Sequence, residues 1–124
     1  MKYFLFILVF SALSLSVSAQ KVAWKELDDY HAVMSQTFHP AEEGNLQPVL
    51  ARAGELAEKG AVLKKSTIPA DYQKEGVKTS VNLLAKESKA LAEMVQKKRP
   101  EEEIKKAIFA LHDRFHEVME KCYH

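Results

Sequence analysis

A chain of 124 residues with 18 basic and 17 acidic side chains, formal net charge +1, offers no one-signed surface to a polyanion. It has no basic stripe interleaved with aromatics, so nucleic acid is not an expected partner, and no long single-sign run marks a disordered tail. One cysteine, Cys122, excludes an internal disulfide.

The chain opens on an export signal. Lys2 supplies a positive start, YFLFILVFSALSL an apolar run, and Val17-Ser18-Ala19 a small-residue cleavage motif before Gln20. The run is short for a bilayer span, so a cleaved signal peptide over 1–19 is expected, with a periplasmic or secreted domain over 20–124 and no stable membrane span after cleavage. No cysteine follows the run, which argues against a lipoprotein anchor. About 105 residues remain, enough for one domain with a real core but not two.

Residues 22–38 predict the first helix. Trp24, Leu27, His31, Met34 and Phe38 alternate by three and four, which places His31 at a core position. His39-Pro40 should end it, because proline disfavours helical geometry in the residue before it. FHPAEEGN is then a connection, with Gly44 and Asn45 as turn residues and Asn45 as a cap for the next helix; a short helical turn there would let His39 face Glu43.

A second helix is predicted over 46–63, with Leu46, Val49, Leu50, Ala53, Leu56, Ala57 and Leu63 inward. Its glycines and alanines signal either close helix packing or space for a bound group. After a polar break, Pro69 should start a third helix running to Lys97, with Val77, Val81, Leu84, Ser88, Leu91 and Val95 in one row.

The fourth helix is the longest and clearest, over 101–122. Pro100 and three glutamates suit its start, and Ile104, Ile108, Leu111, Phe115, Val118 and Cys122 form an unbroken stripe. Four helices with short connections and no strand pattern predict an all-α, antiparallel up-down-up-down four-helix bundle.

His112 and His116 lie four residues apart at the edge of that stripe, one above the other on a helix face. If the first and fourth helices are antiparallel neighbours, a rise of about 1.5 Å per residue brings His31 level with residues 110–112 and Asp28 level with residues 113–116. His31, His112 and His116 then converge inside the bundle, with Asp28 as a fourth ligand. Three imidazoles and a carboxylate are a sensible shell for a divalent transition metal, zinc or copper. By the same count His39 falls about 12 Å from His31, too far to share an ion. HDRFH lacks the glutamate of HEXXH, so proteolysis is not supported, and no nucleophile–base pair marks an enzyme. Met34 and Met119 add soft donors near the same level, and Cys122 should be an exposed thiol apart from the histidines.

Met34 in the first helix, the small-residue-rich second helix, TIPADYQ before the third and histidines late in the fourth together resemble periplasmic four-helix cytochromes of the b and c′ type. The resemblance implies a non-covalent haem b held by Met34 and by His112 or His116, for electron transfer. KCYH at residues 121–124 lacks the CXXCH pattern, so covalent haem is not implied. TFHPAEEGNLQPV is similar to a segment of exported proteins of Bacteroidetes-type bacteria. The sequence thus predicts a metal-binding bundle for storage, sensing or buffering, with the haem protein as alternative. A purely structural or partner-binding bundle is the second alternative, and a homodimer or a periplasmic protein partner stays open.

Overall fold

A computed structural model describes residues 22–124, so the expected signal peptide over 1–19 lies outside the described residues. The described residues form four helices: α1 (Lys25–Glu42), α2 (Gln47–Lys65), α3 (Val77–Gln96) and α4 (Glu101–Tyr123). They pack in chain order as an all-α four-helix bundle, α1 on α2, α2 on α3 and α3 on α4; α4 then closes on α1 along the loosest of the four seams. No helix among the described residues is long and apolar enough to cross a membrane.

The stripe on α4 is buried throughout, from Ile104 to Cys122. Cys122 is thus a core residue rather than the exposed thiol expected, because it continues the row one turn beyond Val118. On α2 the close-packing alternative holds at Gly60. A Cβ added there would stand 3.3 Å from the Ala85 Cα and 3.4 Å from the Ser88 Cβ, so α3 approaches this far only because the side chain is missing.

In α1 the inward residue is Tyr30, fully buried, and the neighbouring His31 is exposed. The sequence expectation put His31 in the core, where Tyr30 stands instead. Both flank the Leu27–Met34 row about 100° apart on the helix, so periodicity tolerates either. The partner on α3 decides between them. Ser88 Oγ already donates to the Leu84 carbonyl at 2.6 Å, so the Tyr30 hydroxyl donates to Ser88 Oγ at 2.7 Å. A buried imidazole would leave this hydroxyl contact unmade and bury less apolar surface.

Two boundaries also differ from expectation. α1 continues through Pro40 to Glu42, because Phe38 and Ala41 are both buried and their packing outweighs the local preference against helix before proline. The helix then ends on bonds to late carbonyls, Glu43 N to Pro40 O at 3.1 Å and Gly44 N to Ala41 O at 3.0 Å, with Gly44 at φ +88°. The N-cap of α2 is Leu46 rather than Asn45, whose Oδ1 still accepts from the Gln47 N–H at 3.1 Å.

The third helix does not begin at Pro69. Residues Ala70–Tyr72 form a single 3₁₀ turn, and α3 starts only after Gly76, whose φ of +85° is open to glycine at little cost. Tyr72 explains the break. Its buried ring packs between Trp24 and Tyr123, at centroid distances of 5.7 and 5.8 Å, and so closes one end of the bundle. The Trp24 indole N–H donates to Ser66 Oγ at 3.0 Å and ties the same end to the end of α2.

Candidate functional site

Along the α1–α4 seam runs a groove of ≈ 270 Å³. Its α1 wall is His31, Met34, Ser35, Phe38 and His39; its α4 wall is His112, Phe115, His116 and Met119. Four of the five histidines of the chain line it. The seam is the loosest because the imidazoles that face it are mostly exposed, only His112 being half-buried, while Met34 beneath them belongs to the core.

The α4 pair is formed as predicted. His112 Nε2 and His116 Nε2 stand 3.1 Å apart, their rings edge to face at 4.4 Å. Without an ion, one nitrogen donates and the other accepts, so the contact requires that the two rings not both be protonated. His112 is the more enclosed of the two. Burial, then the neighbouring His116, pushes its pKa below the ordinary imidazole value and favours the neutral ring that ligates metals. Phe38 fixes the other face of His112, stacked at 3.6 Å with an interplanar angle of 11°, and is itself held edge-on by Phe109 at 5.1 Å.

The axial register differs from the count made on the sequence. His31 lies over Phe115, at 5.0 Å, and His112 is level with Phe38. The extra turn of α1 through Pro40 accounts for only part of the shift, about three residues of it. Its consequences for the predicted ligands are specific. His31, His112 and His116 do line one groove, with Met34 and Met119, but the groove lies at the surface of the bundle, not inside it. Asp28 is exposed and does not line it; its charge is felt instead at Tyr72, toward the closed end. His39, set aside by the axial count, does line it.

His39 and its partner Glu42 are what sequence reasoning missed. His39 Nδ1 lies 3.0 Å from Glu42 Oε1, not beside Glu43. The usable signal was the three-residue spacing from His39 to Glu42, which matters only once the helix is allowed to run through Pro40. Among the described residues no three His, Cys, Asp or Glu side chains already stand in a metal-holding group. The pair on α4 is preformed; any third ligand has to swing in.

Away from the groove, the α3–α4 face is held by Arg114, which reaches both carboxylate oxygens of Glu87 at 3.0 to 3.2 Å and also pairs with Glu117. This network locks the back of α4, so the helix carrying the histidine pair is fixed from the side opposite its groove.

Comparisons of the chain with family models, with curated proteins and with solved structures give no match.

Proposed function

We infer that the protein is an exported helical bundle that binds a transition-metal ion, zinc or copper, in the α1–α4 groove. The observation that carries this is the His112–His116 pair. Two Nε2 atoms 3.1 Å apart would each reach a common ion at about 2.0–2.1 Å with an angle near 100° between the bonds, close to the tetrahedral value. Little rearrangement of α4 is needed for that. Thioethers of Met34 and Met119 on the two walls favour copper, since zinc sites are built from imidazole, thiolate and carboxylate.

The groove's size also separates an ion from a larger cofactor. At ≈ 270 Å³ it falls below the roughly 300–1,000 Å³ of small-molecule pockets, and Phe38 already covers the open face of His112. A haem held by Met34 and His112 would have to displace that ring. A metal ion would not.

The test uses untagged protein, because a histidine tag would supply its own ligands. After loading with Zn(II) or Cu(II) and exhaustive dialysis, one equivalent of metal is expected by elemental analysis. At a free metal concentration of about 100 Kd the fold gains about 2.7 kcal/mol, which for a domain this size raises Tm by roughly 10 °C or more. His112→Ala and His116→Ala should each abolish the gain. Equal Tm in metal and in chelator, with no metal retained, would refute the reading and leave the pair as a hydrogen bond between two imidazoles.

A further inference from the structure

We propose that the third protein ligand is His39, aimed by Glu42, so that the bound ion bridges the α1–α4 seam. This rests on the metal reading above and adds what α1 contributes to it.

Hydrogen-bond roles fix the tautomer of His39. At neutral pH a carboxylate only accepts, so the contact of 3.0 Å between His39 Nδ1 and Glu42 Oε1 places the proton on Nδ1. In the neutral ring, the form that ligates a metal, Nε2 then carries the lone pair. A carboxylate holding one imidazole nitrogen while the other meets a metal is the usual outer support of histidine ligands; it sets the tautomer and strengthens the donor. His39 lines the groove, and Phe38, its neighbour in sequence, is stacked on His112.

His39 is also free to move. Its side chain is 71% exposed, and the ring nearest to it is that of Phe38, at 6.1 Å. His31 offers a poorer ligand. Its ring lies tilted over the buried Phe115 at 5.0 Å, and swinging away would uncover that apolar surface. One ion held by His39 from α1 and by His112 and His116 from α4 therefore closes the loosest seam of the bundle.

The experiment titrates the native full-length domain and five variants with Cu(II) and counts bound imidazoles by pulsed electron paramagnetic resonance. Native protein should show three. His39→Ala should show two and bind about 10–100-fold more weakly, as loss of a ligand or its support generally does. Glu42→Ala should weaken binding within the same range, and Glu42→Gln, which can still accept from Nδ1, should recover most of it. His31→Ala should keep three imidazoles and an affinity within twofold of native. Binding by His39→Ala indistinguishable from native overturns the proposal, as does loss of an imidazole in His31→Ala. If His112→Ala also binds like native, the metal reading itself falls; if only the His39 and Glu42 results fail, that reading stands and this one does not.

Discussion

Replacing Tyr30 and Ser88, singly and together, tests why α1 presents a tyrosine rather than the adjacent histidine to the core. Tyr30→Phe removes a hydroxyl that donates at 2.7 Å but leaves the Ser88 hydrogen on the Leu84 carbonyl. Only a net hydrogen bond is lost, about 1 kcal/mol. Ser88→Ala removes the acceptor and leaves a phenolic O–H buried with nothing to receive it, which costs about 2 kcal/mol and at most about 3. In the double variant neither polar group remains, so the unsatisfied donor disappears with its partner. The double should therefore lose clearly less than the sum, with a coupling of about 1 kcal/mol. Urea unfolding followed by helix circular dichroism reads this directly. With a slope of about 1–1.5 kcal/mol per M, Tyr30→Phe lowers the midpoint by somewhat under 1 M. Losses that add to within about 0.3–0.5 kcal/mol would mean the two hydroxyls do not work as a pair and would refute the reasoning.

Gly54 and Gly60 on α2 should respond oppositely to alanine. Nothing stands within 4 Å of a Cβ at Gly54, so Gly54→Ala should gain about 0.5–1 kcal/mol of helix propensity, whereas Gly60→Ala drives a methyl against the Ala85 backbone and should lose about 1 kcal/mol net; equal signs in denaturant melts would contradict the packing. Alkali should weaken the fold through Tyr30. Burial raises its pKa far above the 10.0 of the unfolded chain, so its contribution is complete below pH 10.0 and is lost as pH climbs beyond it. Tyr30→Phe should therefore show a shallower alkaline decline, with buried Tyr72, its pKa raised to about 12, supplying much of what remains; an unchanged slope would argue against a buried phenol at position 30. Asp28→Asn should leave metal affinity within twofold of native in competition titrations, since Asp28 is remote from the groove; a tenfold loss would return it to the ligand set.

What the sequence made legible was whatever depended on one helix at a time. The α4 stripe is buried residue for residue, and the His112–His116 contact comes from a spacing of four on a single helix. Readings that depended on two helices fared differently. Tyr30 and His31 are both compatible with the α1 period, and the choice lies with Ser88, 58 residues away. Pro40 obeys a local rule only until the burial of Phe38 and Ala41 outweighs it. That boundary moves the start of the axial count by about 4.5 Å, and the stacking of Phe38 on His112 fixes a register in which His39 lines the groove and Asp28 does not. Axial counting inherits any error in where the counting starts.

Three of the bundle's four seams are closely packed, and the one between α1 and α4 is looser. The usual breathing of a helical bundle will thus act like a book opening at one page. The α2–α3 pair is the spine, pinned where Gly60 lets the two backbones touch, and the outer pair are the covers. Backbone amides of α1 and α4 should trade hydrogen with solvent ahead of those near the spine, and anything that clasps the covers will slow them most. The fold keeps its slack beside its imidazoles.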